Sequence, residues 1–102
     1  MTFQYVLSPE AVADLFEIWM YIKEQTNLEA ADQIEAAIRK AMAFLAHSPG
    51  VGHRRTDLTD KDLRFFSVYS FLIIYRPGTL PLQVVSILHG RRDLRQLLQD
   101  RP

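Results

Sequence analysis

The spacing of apolar and polar positions changes repeatedly along the chain, and each change marks an element. Residues 2–7 alternate, with Phe3, Tyr5 and Leu7 opposed to Thr2 and Gln4, which predicts a short strand over Thr2–Leu7. Ser8-Pro9-Glu10 reads as a helix start. Ser8 can accept from free N–H groups, proline suits the first helical position, and Glu10 suits the positive end. Leu7 and Val12 are spaced to close as a hydrophobic staple over that cap. Leu15, Ile18, Trp19 and Ile22 then recur at helical spacing to about Glu24, while Asp14, Glu17, Tyr21 and Glu24 fall elsewhere around the wheel. Thr26-Asn27-Leu28-Glu29 matches a capping box with Thr26 as the cap, so a second helix begins there. Its stripe is Ala30, Ile34, Ile38, Ala41, Met42 and Leu45, and His47-Ser48-Pro49-Gly50 ends it. The short junction between the two predicts an antiparallel helical hairpin.

After a polar loop over 50–62, three β-like runs follow: Leu63–Val68, Tyr69–Arg76 and Leu82–His89. Runs joined this closely predict an antiparallel meander. The second run is apolar on both faces and belongs at the centre of the sheet, with the helices on one side. Asp93–Gln99 reads as a short tail helix through Leu94, Leu97 and Leu98, capped by Asp93. The expected fold is therefore α+β: an N-terminal strand, an antiparallel helical hairpin and a three-stranded antiparallel meander, with the helices packed on one face. No repeat or low-complexity segment divides the chain, so residues 1–102 read as a single domain.

Composition narrows the function classes. Hydrophobic residues make up 48% and charged residues 24%, a globular balance. There is no cysteine, which excludes thiolate metal sites and a cysteine nucleophile. The three histidines, His47, His53 and His89, lack paired spacing, so neither a metal nor a cofactor is expected. No run is long enough to span a bilayer and no signal peptide is evident, so a cytoplasmic location without membrane attachment is expected. The zero net charge hides an asymmetry. Residues 1–47 hold three basic and seven acidic residues, a balance of −4, whereas residues 48–102 hold nine basic and five acidic, a balance of +4. Eight of the nine late cations are arginine, suited to bidentate contact with carboxylate or phosphate.

At this level of detail the chain resembles the RelE/ParE toxin superfamily. The resemblance rests on Ser8-Pro9-Glu10-Ala11 with Asp14-Leu15, then Ile18 and Tyr21-Ile22. It continues through Leu45 with Ser48-Pro49-Gly50-Val51-Gly52, Arg54, Asp57-Leu58, Leu63-Arg64 and Ile74-Tyr75-Arg76. It ends on Ile87-Leu88-His89-Gly90-Arg91-Arg92-Asp93. Each phrase is weak alone, and together they cover nearly the whole chain in order. The resemblance implies the toxin of a type II toxin–antitoxin pair, neutralised by a cognate ParD-like antitoxin. ParE-like members poison DNA gyrase without a catalytic duty, and RelE-like members cut messenger RNA on the ribosome.

RNA cleavage from the 2′-hydroxyl needs a base, a stabiliser of phosphorane charge and an acid. Where RelE-like chains carry sheet arginines, this chain matches at Arg64 but has Phe66 and Phe71 at two further positions, and no tyrosine follows Tyr75. Phenylalanine cannot stabilise a dianion. A reduced ribonuclease site of His89, Arg64 and Arg76 is the alternative reading. The favoured one is a ParE-like binding toxin with no catalytic residues, presenting Arg91, Arg92, Arg64 and Arg76 to its target. Arg64 and Arg76 also have a structural reading as partners of Asp62 or Asp93, and His89 as a residue holding a loop. A DNA-binding role is not expected without the antitoxin, because the helical hairpin is acidic.

Overall fold

The computed structural model describes residues 4–101. The order is β1 (Tyr5–Leu7), α1 (Pro9–Gln25), α2 (Leu28–His47), β2 (Arg64–Val68), β3 (Phe71–Arg76), β4 (Leu82–His89) and α3 (Leu94–Asp100). Thr2 and Phe3, expected in the first strand, lie outside the described residues.

Ser8 makes the first corner in three ways. Its Oγ accepts from the Ala11 N–H at 3.1 Å and donates to the Val85 carbonyl at 2.9 Å, while its N–H donates to the Val84 carbonyl at 2.9 Å. One hydroxyl thus caps α1 and ties its start to β4. Val12, expected to staple against Leu7, is 56% exposed and lines an open groove with it. The junction between the helices corrects a second expectation. Asn27, not Thr26, caps α2, its side chain accepting from the Ala30 N–H at 2.7 Å. Thr26 instead closes α1, its N–H and hydroxyl both donating to the Ile22 carbonyl. Asparagine outranks threonine as a cap, and a threonine hydroxyl readily back-bonds to the preceding turn.

The sheet has the order β1-β4-β3-β2. β2, β3 and β4 form the expected antiparallel meander, and β1 joins parallel to β4, so the sheet is mixed. β3 lies inside it, with β4 and β2 on either side. Its two faces enter two separate cores. Phe71, Ile73 and Tyr75 pack with Leu82, Val84 and Ile87 against Ala11 and Leu15 of α1 and Ile38, Met42 and Leu45 of α2. Ile74 faces the other way, with Phe65, Leu88, Leu63 and the α3 residues Leu94 and Leu98. The hairpin covers one face as expected, but α3 covers the other. The reason lies in β3 itself: a strand apolar on both faces needs a cover on each. Pairing shifts from Ile74↔Ser86 to Tyr75↔Val84, leaving Val85 as the extra residue of a β-bulge.

Candidate functional site

Tyr75 is fully buried on the helix-facing side of β3, and the 49–52 loop folds over its hydroxyl. The hydroxyl donates to the Pro49 carbonyl at 2.7 Å and accepts from the Gly52 N–H at 2.9 Å. Arg64, directly across the ladder from Tyr75, donates from Nη1 to the Gly52 carbonyl at 2.8 Å. Burial pushes the Tyr75 phenol above its ordinary pKa, against the opposing pull of the Gly52 N–H and the Arg64 charge. The 49–52 loop is thereby latched to the sheet at both the carbonyl and the amide of Gly52. Arg64 belongs to this latch and makes no ion pair among the described residues. The expected pairing of Arg64 with Asp62 or Asp93 is not formed, because Asp62 meets Arg54 at 4.0 Å and Asp93 caps α3.

Arg76 does not join Arg64. Consecutive strand residues point to opposite faces, so Arg76 lies on the α3 side while Tyr75 and Arg64 lie on the helix side. His89 pairs with Phe71 at the far end of β3, about 16 Å along the strand from Arg76 at the rise of an extended chain. The three residues of the reduced ribonuclease site therefore sit at two ends and on two faces of the sheet.

His89 is edge-on to the Phe71 ring, with centroids 5.5 Å apart, and its Nδ1 accepts the Arg91 N–H at 3.0 Å. The Arg92 N–H donates to the His89 carbonyl at 3.1 Å, and the Gly90 N–H donates to the Ser70 carbonyl at 2.9 Å. His89 thus fixes the turn that carries Arg91 and Arg92, both exposed, before Asp93 starts α3. Of the four arginines expected at a target surface, these two are adjacent and outward.

The residues missed in the sequence are Asp14 and Arg101. Asp14 is 4% exposed on α1. It accepts the Ile87 N–H at 3.0 Å, closing the edge of β4 beyond the end of β1, and takes a two-pronged contact from Arg101 at 2.6 and 2.9 Å. Arg101 also donates to the Ser86 hydroxyl at 2.9 Å. Hydrogen bonding to Asp14 raises the Arg101 pKa, so the guanidinium stays charged where it crosses from α3 to α1. Asp14 was detectable in principle: with Ala11, Leu15, Ile18 and Ile22 it lies on the buried stripe of α1.

On the outer side of the hairpin, Val12, Phe16 and Trp19 line a groove of about 520 Å³ with Asp32, Glu35 and Arg39. Phe16 is 61% exposed and stacks on Trp19. The Trp19 Nε1–H donates to Asp32 at 2.9 Å, which pins the indole between the two helices. No group of three potential metal ligands occurs among the described residues, and no described helix is long and apolar enough to cross a membrane.

A four-stranded mixed sheet, with a helical hairpin on one face and a tail helix on the other, defines a small α+β domain of the RelE/ParE type. The fold matches a solved structure titled "Chromosomal ParDE TA system from P. aeruginosa" with a TM-score of 0.73 at 18% identity, covering 86% of this chain and 96% of that one. Residues 5–94 match the family described as "ParE toxin of type II toxin-antitoxin system, parDE". Toxin ParE1 of Mycobacterium tuberculosis is 33% identical over 95 residues, covering 92% of this chain and 96% of the relative. Toxin ParE1 of Caulobacter vibrioides is 29% identical over 91 residues, covering 89% and 93%. The chain belongs to the ParE toxin family of type II toxin–antitoxin systems.

Proposed function

We propose that the chain is a binding toxin that inhibits DNA gyrase in the cytoplasm and is neutralised by a cognate ParD-like antitoxin. The observation that carries the target half of this reading is the His89-braced turn, which presents Arg91 and Arg92 side by side to solvent. Paired exposed arginines steer a protein to an acidic or DNA-loaded surface and raise the association rate. Leu94 and Leu98 are buried against the sheet and Leu97 packs partly against the same cluster, so the arginines rather than the tail leucines are taken as the main contact. The antitoxin half is supported by the hairpin groove. Exposed Phe16 and Val12 beside a pinned Trp19 suit the apolar face of an amphipathic helix.

The ribonuclease alternative has less support, since His89, Arg64 and Arg76 do not converge and His89 Nδ1 is already engaged by a backbone amide. The test is purified gyrase acting on plasmid DNA. The toxin is expected to block supercoiling and trap cleaved DNA, and an equal amount of antitoxin to restore supercoiling. Normal supercoiling at every toxin concentration, or codon-linked cuts in cellular messages instead, would reject the reading.

A further inference from the structure

A second cavity, of about 330 Å³, opens on the α3 side of the sheet. Val6, Gln83 and Arg76 stand in one cross-strand row over β1, β4 and β3 and form one side of it. Val85, the extra residue of the bulge, joins Leu63 and Leu98 as apolar lining. Bulges re-aim side chains and often lie beside sites.

The charges in this cavity do not cancel. Arg101 is held by Asp14 and Ser86, and Lys61 donates from Nζ to the Arg101 carbonyl at 3.0 Å. Among the described residues, Glu10 is the acidic group in the lining. Arg76 is half-buried, and its guanidinium makes no hydrogen bond or ion pair among the described residues. A partly desolvated cation gains more from an anion than an exposed one does. A planar guanidinium fork matches a carboxylate through two parallel hydrogen bonds. The apolar lining suits aliphatic neighbours of that carboxylate. Among the described residues no aromatic ring lines the cavity to stack on a base, and its cations do not form the track that a nucleic-acid backbone needs.

We propose that this pocket captures a carboxylate borne on an apolar peptide segment of a protein partner, with Arg76 as the bidentate reader and Lys61 as the second cation. The proposal stands apart from the gyrase reading, whose arginines follow the opposite end of β4.

The test is NMR on the full chain, following backbone amides and arginine Nε–H signals. The probes are an N-acetylated Leu-Glu-Leu amide, its Leu-Gln-Leu counterpart and inorganic phosphate. Saturable shifts at Arg76 Nε–H and at the Val6 and Val85 amides are expected with the glutamate peptide. The glutamine peptide should bind about tenfold more weakly, the loss of one charge-assisted pair. Arg76→Leu should remove the response, and Arg76→Lys should retain only part of it. If Arg76→Leu does not fold, Arg76→Gln carries the same expectation. Absence of saturable shifts, an equal response to the glutamine peptide, or tighter binding of phosphate than of peptide would each overturn the proposal. So would an undiminished response in the folded Arg76→Leu or Arg76→Gln chain.

Discussion

Gly52 and Tyr75 meet so closely that any side chain at position 52 would have to push the tyrosine aside. The tyrosine hydroxyl accepts the Gly52 N–H at 2.9 Å, and a Cβ on that glycine would be driven into the hydroxyl and lie 2.9 Å from Cε1. The ring is fully buried beneath Pro49 and beside Arg64, so it cannot swing away cheaply. Gly52→Ala is expected to destabilise the chain by about 2 kcal/mol, the cost of overpacking a filled site. Gly50, with open space around its Cα, provides the control. Gly50→Ala should shift the urea midpoint much less, and equal shifts would remove the latch as the cause.

The same hydroxyl predicts an alkaline weakness. Burial raises the Tyr75 pKa, so the folded chain holds that proton more tightly than the unfolded chain does. The contribution is complete below the ordinary phenol value of about 10 and is lost as pH rises through the raised folded value. A phenolate also cannot donate to Pro49. Wild type should therefore lose its stability margin over Tyr75→Phe as pH climbs past about 10. A margin that stays constant across that range contradicts the assignment.

Asp14 and Arg101 tie the first helix to the segment after the last one across the edge of β4. The pair is two-pronged, and Asp14 is buried. Removing one partner leaves a poorly solvated charge. Asp14→Ala and Arg101→Ala should each cost about 2–3 kcal/mol, with Asp14→Ala the worse because Ile87 also loses its acceptor. A double-mutant cycle should return a coupling above about 1 kcal/mol. Additive losses mean that the two side chains do not act together.

Most elements were legible in the sequence because period is a strong signal, and side-chain roles much less so. The helical hairpin, the three late strands and the central place of β3 follow from periodicity. The turn between β2 and β3 carried no glycine, proline or asparagine. It is made by Tyr69 at φ 55° with Ser70, a conformation that the local sequence does not announce. Asp14 read as a polar wheel position because its partner is 87 residues away. Arg64 and Arg76 read as one site because they are near in sequence space and alike in chemistry. The alternation of strand faces, with Tyr75 between the two roles, separates them. Several phrases behind the family resemblance, Ser8 and Asp14 and the 48–52 loop among them, turn out to hold the scaffold rather than form a target surface.

The hairpin groove yields a prediction about the antitoxin alone. Phe16 is largely exposed, and its ring leans on Trp19 at 6.4 Å rather than on the core. Phe16→Asp should leave thermal unfolding nearly unchanged, since exposed substitutions usually move stability by less than about 0.5 kcal/mol. It should lower antitoxin affinity at least about tenfold, because a buried aromatic anchor dominates such a helix-in-groove contact. Calorimetric titration of purified antitoxin checks this. Unchanged affinity would place the antitoxin elsewhere on the chain.

The target face should respond in the opposite way. Arg91 and Arg92 lie beyond β4 on a turn braced by His89. Neither side chain takes part in an ion pair among the described residues, so replacing both should cost little stability. Arg91→Ala with Arg92→Ala is expected to weaken gyrase inhibition by about tenfold or more, with antitoxin affinity nearly intact. Because the lost interaction is long-range, the deficit should show first in the association rate and should shrink as salt is raised. His89→Ala keeps both charges but frees their turn, so it should produce a smaller loss. A catalytic histidine would instead be indispensable. The decisive comparison is gyrase inhibition by the three proteins at low and high salt. A double variant as potent as wild type at low salt would reject these two arginines as the contact, and a His89→Ala loss larger than theirs would return the histidine to a chemical role.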